Sequence, residues 1–400
     1  MSGQRLTRDV SRLAPHSIER LLPAISGPAS GPATLRLHAL TLAQCQHPQR
    51  LAQWQALTLS ADQPNPFAES WFTLPSLTAF DPQGLVRVLW LEVDGQLAGL
   101  LPVRPCSSYY GYPLPHLRNW VHDNAFCGQP LVAPGMTALF WREVLGWCDS
   151  HAGPSLFLHL TQMPLDGEIH HALKQHLADD RRPAATVQLA ERAMLAAETD
   201  AATYLDQSLT GKKRKELRRQ QRRLEELGVV AFTRTADPAQ VDGWAADFLA
   251  LEERGWKGTA GSALAREPAK RAWFTAMLAA AAQAGRLECL SLTLAGRPIA
   301  MLANFITPPG CYSFKTAFDE DYARFSPGVL LQVENLDLLG RTDIAWADSC
   351  AVPDHLMIDH LWRERRPMAS HSIAIGGTAR RALFTLLSRF ENGRRAGGLA

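Results

Sequence analysis

The chain has 400 residues, 46% of them hydrophobic and 20% charged, which excludes long disorder, collagen and coiled coil and leaves room for two or three domains. Lys plus Arg number 41 against 39 Asp plus Glu, a net charge of +2, so wholesale affinity for nucleic acid is not expected and any anion site must come from local clustering. The seven cysteines are odd in number and no pair is spaced CxxC, which argues against a disulfide framework or a structural zinc and for a reducing cytoplasm.

Residues 1–35 read as a short basic, amphipathic stretch and a Gly/Pro linker. The apolar run LLPAISGPASGPATL is broken by Pro23, Pro28 and Pro32, so it does not resemble a signal peptide. No window reaches the ~20 apolar residues of a membrane span. From 36 to about 195 strands and helices alternate. LAQWQALTL and PFAESWFTLPSLTAF, entered through Pro66, read as helices. LVRVLWLEV and GLLPVRP read as strands joined at Asp94-Gly95-Gln96, followed by the helix TALFWREVLGWCDSHA and the strand PSLFLHLTQM.

The second half, 196–385, opens with TYLDQSLTGKKRKELRRQQRRLEELG, expected as one long polar helix stopping at Gly228. VVAFTRTA is a strand, and residues 238–254 and 267–285 are helices. LECLSLTL, PIAMLANFI and CYSFKTAF follow as strands, then a helix over SPGVLLQVENLDLLG and a fourth strand over TDIAWADSC. Residues 386–400 are expected to be a C-terminal tail. The hairpin at 88–103 echoes the one at 290–305: each has an apolar strand, a small-Gly-polar turn and a second apolar strand. Their comparable positions suggest a duplicated domain.

Four segments could carry chemistry. In DEDYARFSPGVLLQVENL, Ser326 reads as an N-cap and Pro327 as a first helical residue, while Gly328 lets a ligand approach the backbone. With Arg324 alongside, this is either a phosphate site or simply a well-capped helix. GWKGTAGSALA offers Trp256 as an apolar plate and Lys257 as a cation, but does not fit the phosphate-loop pattern GxxxxGK[ST]. ADSCAVPDHLMIDHLW gathers Asp348, Cys350, Asp354, His355, Asp359 and His360. Its spacing is poor for a metal, so none is expected, while Asp348 or His355 could accept a proton or serve structurally. KKRKELRRQQRR, residues 212–223, holds eight basic residues and one acid; it is either a solvated face or an attractor of phosphates. No aromatic residue interleaves it, so base stacking is not supported. The chain has no GxSxG elbow and no GxGxxG fingerprint, and His122-Asp123 reads as structural.

Taken in order, KKRKELRRQQRRLEELG, WKGTAGSALA, RLECLSLTLAGRPIAMLANF and CYSFKTAFDEDYARFSPGVLLQVENL resemble the GNAT-type acyltransferases of the CelD/BcsL group, whose architecture is related to the Fem peptidyltransferases. The resemblance spans about 200–365, and the first half follows it more loosely. It implies an α/β fold of two tandem GNAT-like domains, each a mixed, mostly antiparallel sheet flanked by helices. The donor site is then expected in the second, with the pyrophosphate of acyl-CoA on Arg324, Phe325, Ser326, Pro327 and Gly328. RFSPG keeps the Arg and one Gly of the usual Q/RxxGxG/A loop, so a carrier-protein thioester is an alternative donor. The implied reaction is direct attack by a primary amine on the thioester carbonyl. Backbone N–H groups near 315–317 would hold the oxyanion, with His355 or Asp348 as base and Lys315 beside the thioester or a phosphate. Trp256, Lys257 and Tyr312 are the expected substrate contacts. The acceptor is expected to be a cell-envelope amine, either an amino sugar of an exopolysaccharide or a lipid such as a sphingoid base. A cytoplasmic protein touching the inner face of the membrane through residues 212–223 fits this. The alternatives are a non-catalytic GNAT scaffold and a Fem-like aminoacyl-tRNA-dependent transferase.

Overall fold

The computed structural model describes residues 34–391 apart from 354 and 356. Residues 1–33 of the expected tail and linker at 1–35, residues 392–400 of the expected C-terminal tail, and Asp354 therefore lie outside the described residues, and Leu35 already belongs to the first strand. The first half runs β1 (Leu35–Leu40), α1 (Leu42–Cys45), α2 (Pro48–Ser60), α3 (Ser70–Phe80), β2 (Arg87–Val93), β3 (Gln96–Cys106), β4 (His116–Asn119), β5 (Leu131–Val132), α4 (Thr137–His151), β6 (Phe157–Pro164), α5 (Glu168–Asp179) and β7 (Ala184–Leu195). The second runs α6 (Ala201–Ser208), α7 (Gly211–Glu225), β8 (Val230–Thr235), α8 (Pro238–Arg254), α9 (Trp256–Thr259), α10 (Pro268–Gln283), β9 (Leu287–Leu294), β10 (Arg297–Thr307), β11 (Gly310–Phe318), α11 (Pro327–Glu334), β12 (Trp346–Asp348), β13 (Glu364–Ala374) and α12 (Thr378–Glu391).

All thirteen described strands form one sheet in the order β1-β2-β3-β4-β6-β13-β7-β12-β11-β10-β9-β8, with β5 beside β3. Read inward from either edge, the pattern is the same. Four antiparallel strands lead to one parallel pair, β4 with β6 and β11 with β12, and then to an antiparallel neighbour. That neighbour comes from the other half: β13 lies against β6, and β7 lies against β12. The fold is thus two tandem GNAT-like units that exchange their last strands.

The repeated hairpins occupy equivalent places. Asp94-Gly95 and Ala295-Gly296 both turn with positive φ at the two central residues, the conformation that matches the twist of a two-residue hairpin. Each hairpin then carries one extra residue, Ala98 or Ile299, three positions beyond the turn glycine.

The units share a core. Phe67, Trp71 and Phe72 from the first pack on Phe305 and Phe314 from the second, with Phe72 edge-on to Trp273 at 5.9 Å and Trp71 edge-on to Phe305 at 4.9 Å.

Four expectations are corrected. The long polar helix is two helices, because Leu209 turns inward to the core and Thr210 starts again as an N-cap, accepting from the Lys213 N–H. The helix expected over 326–340 ends at Glu334 and continues as a 3-10 run, Asn335–Gly340. The strand expected over 342–350 is only Trp346–Asp348, and α12 runs through Glu391, past the expected boundary at 385. Among the described residues no helix is long and apolar enough to cross a membrane.

Candidate active site

β11 and β12 pair in parallel at three positions only: Gly310 with Trp346, Cys311 with Ala347 and Tyr312 with Asp348. Beyond them the strands splay, and Asp348 explains why. Its carboxylate is fully buried, and Oδ1 accepts the Cys350 N–H at 2.8 Å, which folds the backbone into the left-handed region at Cys350 (φ 54°) and away from β11. Arg192 on β7 (3.3 Å) and Arg366 on β13 (3.2 Å) neutralise it. The two exchanged strands therefore supply the counter-charges that make this turn possible, since an unpaired buried carboxylate would be prohibitively desolvated.

β11 also carries an extra residue where it faces β10. Ala303 opposes Lys315 and Asn304 opposes Ser313, leaving Phe314 bulged. Further along, the Asp319 N–H bonds back to Ile299 on β10. Because successive amides of a strand point to opposite sides, the N–H groups of Thr316 and Phe318 then face the splay, where β12 no longer meets them. The result is a cavity of about 320 Å³ between Ser313–Phe318 on one side and Ser349–Val352 on the other, closed by His355, Met357 and Ile358, by Glu252 and Lys257, and by Phe126 from the first half.

Lys315 is the group most out of balance there. Its ammonium has no ion-pair partner among the described residues, lies 5.6 Å from the centre of the Phe314 ring, and is pushed down to about 8, by burial first and then by Lys257. Lys257 itself is tied to the buried Glu252 at 2.8 Å, and the other oxygen of Glu252 accepts the Leu264 N–H, which pins the loop after α9 to α8. His355 lies at the mouth, and burial, then Lys257, lowers its imidazole below the usual value, which keeps it neutral at physiological pH. Behind the floor a chain of amides runs from Asn304 to Asn335 (2.7 Å), to Gln332 and to the Thr316 hydroxyl (3.2 Å), holding the open strand in place.

The 324–328 loop lies at one end of this cavity. A Cβ on Gly328 would come 2.9 Å from the Met357 sulfur and 3.3 Å from the Phe318 ring, both of which line it. Ser326 does not act as the expected side-chain cap. It takes left-handed φ/ψ (53°, 50°) as the 3-10 turn Glu320–Phe325 ends, with its N–H on Ala323. The Arg324 guanidinium lies over Phe325 at 4.7 Å, and its carbonyl accepts from Gln220 of α7, so the basic helix packs against the loop.

The structure thus brings Lys315, Lys257 and His355 together around one cavity, with the 324–328 loop adjoining. Asp348 is behind the cleft as its scaffold and has no free face. Tyr312 is fully buried, with its hydroxyl on the Pro64 carbonyl at 3.2 Å and on Arg366. Trp256 opens α9, and its side chain lies outside the described part. Thr316 falls within the stretch 315–317 expected to offer backbone N–H groups, whereas Phe318, Gln332, Glu252 and Phe126 were not anticipated. The alternation of β11 could have flagged Phe318, but nothing local marks the others. Among the described residues no group of three His, Cys, Asp or Glu is placed to hold a metal.

The first half has the matching parallel pair, Leu117 with Leu158 and Arg118 with His159, but its splay is filled. The Asn119 side chain donates to the Gly128 and Thr161 carbonyls, both at 2.9 Å, and accepts the Thr161 N–H at 2.8 Å. His122, pushed down to about 3 by burial and then by Lys315, is neutral; its ring bonds Ser76 at 3.1 Å and accepts the Asn124 N–H.

Residues 211–372 match the family model described as an acetyltransferase (GNAT) domain. No curated protein matches the chain. Among solved structures it is similar to FemX, at a TM-score of 0.54 and 10% identity over 88% of this chain and 99% of that one. It is also similar to a conserved protein of unknown function from Bacteroides thetaiotaomicron, at a TM-score of 0.51 and 12% identity over 86% of this chain and 100% of that one. At these identities the likeness is one of fold.

Proposed function

We propose that the chain is an N-acyltransferase that moves an acyl group from a thioester, acyl-CoA or an acyl carrier protein, to a primary amine of a cell-envelope molecule. The observation that carries this reading is the splay of β11 and β12, along which the Thr316 and Phe318 N–H groups meet no backbone partner among the described residues. A thioester carbonyl laid there meets donors already in place, and a preorganised donor of this kind contributes ~3–4 kcal/mol to stabilising the oxyanion. The amine nitrogen attacks the carbonyl carbon, a C–N bond forms, and the C–S bond breaks to release the thiol. The proton lost by the amine goes to the neutral imidazole of His355, and the imidazolium so formed gives it up, directly or through water, to the leaving thiolate. Lys315 keeps its charge near neutral pH and attracts the thioester oxygen or a phosphate. The loop at Arg324, Phe325, Ser326, Pro327 and Gly328 takes the pyrophosphate. The resemblance to the CelD/BcsL group and the matched GNAT segment support the same assignment.

Calorimetric titration with acetyl-CoA, palmitoyl-CoA and CoA tests it. Preference for the long chain points to a lipid or sphingoid amine as acceptor, and preference for acetyl to an amino sugar. Failure of every CoA and carrier thioester to bind overturns it in favour of a non-catalytic scaffold. A second reading, aminoacyl transfer from tRNA in the Fem manner, draws on the packing of basic α7 against the loop through Gln220. It requires binding of aminoacyl-tRNA that weakens when the exposed basic residues of 212–223 are neutralised.

A further inference from the structure

The antiparallel pairing of β3 with β4 sets Arg104 directly opposite Arg118. Residues so paired project from the same face, and like charges there repel. Among the described residues no carboxylate comes within ion-pair distance of either guanidinium. Arg118 makes only a long 3.5 Å contact to the Thr161 hydroxyl, and its Nε is buried without a partner. Both arginines line a cavity of about 290 Å³ with Lys270, whose ammonium also bonds Glu267 at 2.7 Å. The other charged group on that wall is Asp123, which pairs with none of the three, and His122 there is neutral.

We propose that Arg104 and Arg118 form a phosphate-ester site in the first half. Two unpaired guanidiniums facing one space match the paired oxygens of a phosphoryl group, and its negative charge would relieve their repulsion. The surroundings give the site a direction. Its cavity shares Arg118, Val121, His122 and Asp123 with a second, about 500 Å³ in volume, and that one shares Phe126 and Cys350–Val352 with the splay of β11 and β12. A molecule held by its phosphate at Arg104 and Arg118 can therefore extend through the middle cavity, past Gln162, Gln188 and Glu191, toward the reacting carbonyl. Resting on the acyl-transfer reading, the site assigns the acceptor as an amine that carries a phosphate ester. The first-half splay does not compete for the thioester, because the Asn119 side chain occupies it.

Titration with pyrophosphate in saturating CoA, and with phosphatidylcholine vesicles with and without phosphatidic acid, tests the site in the full chain. Binding weakened about tenfold or more by Arg104→Gln and by Arg118→Gln supports it. Arg104-dependent binding of pyrophosphate alone identifies a soluble phosphate ester, and of phosphatidic acid vesicles alone a lipid headgroup. Arg104 is exposed, so its variant keeps the fold, and CoA binding by that variant should be unchanged. Binding of neither probe, or binding indifferent to both substitutions, overturns the proposal. If CoA and carrier thioesters fail to bind while Arg104-dependent phosphate binding persists, the acyl-transfer reading falls and the anion site stands.

Discussion

The two halves build the same parallel strand pair and treat it in opposite ways. At β4 and β6, the Asn119 side chain at the end of β4 reaches across to the Thr161 backbone of β6 and to the Gly128 carbonyl, so the strands are tied where they would part. At β11 and β12, Asp348 turns its hydrogen-bonding capacity along its own chain, to Cys350, and the gap stays open. A single side chain at the end of each strand pair thus decides whether a GNAT-like unit has a cleft. The closed unit keeps its polar groups for the wall of neighbouring cavities, and the open one exposes strand amides and a poorly balanced lysine.

This contrast can be broken at several points. Asp348→Ala strands the Arg192 charge in the interior and leaves Arg366 with Asp166 as its one carboxylate among the described residues, so denaturant unfolding should show a loss of about 3–5 kcal/mol; a loss below 1 would mean that the turn at Cys350 does not depend on the carboxylate. Gly328→Trp drives a ring into Met357 and Phe318. Donor thioester affinity should fall about 100-fold or more with folding retained, and unchanged affinity in a folded variant would remove the 324–328 loop from the donor site. His355→Ala should lower kcat about 100-fold. Because burial holds this imidazole below 6.5, the acid limb of the wild-type rate profile should lie below that value, and a variant with the wild-type limb would mean another base. Asn119→Ala leaves the Thr161 amide and two carbonyls unsatisfied, costing about 2 kcal/mol by the same unfolding measurement while leaving donor affinity intact.

The smallest effect sharpens the comparison through pH. Lys315 is held at about 8, below the ordinary 10.5, so its charged form opposes folding at neutral pH and stability rises as pH climbs between those two values. Lys315→Met should gain about 1–2 kcal/mol at pH 7 and flatten that rise. A variant no more stable than wild type would show that the ammonium has a partner in solution.

Much of the second half was readable along the chain. The helix over 238–254 and the strands over 287–318 were bounded as expected, because apolar periodicity and turn residues are local signals. Lys315, Lys257 and His355 were picked out one by one, from residue type and from the family resemblance, and they do share a cavity. Other features were not legible. β7 and β13 went unremarked because their buried positions carry Arg192, Arg366, Ser370, Ser372 and His371, residues that pattern reading assigns to the surface. Their polarity is tolerated because each meets partners from the other half.

The same division holds for the chain as a whole. Hydrophobic spacing, hairpin turns such as Asp94-Gly95 and Ala295-Gly296, and helix starts at Pro238 and Pro268 determined which elements form, since each depends on neighbours a few residues away. Only the tertiary structure decided that the halves exchange strands, that Asp348 is a scaffold carboxylate instead of a base, and that Arg104 and Arg118 face the same space. Those outcomes depend on which charges meet across 14 to 156 positions of chain, and burial, by making an unpaired charge costly, selects the pairing.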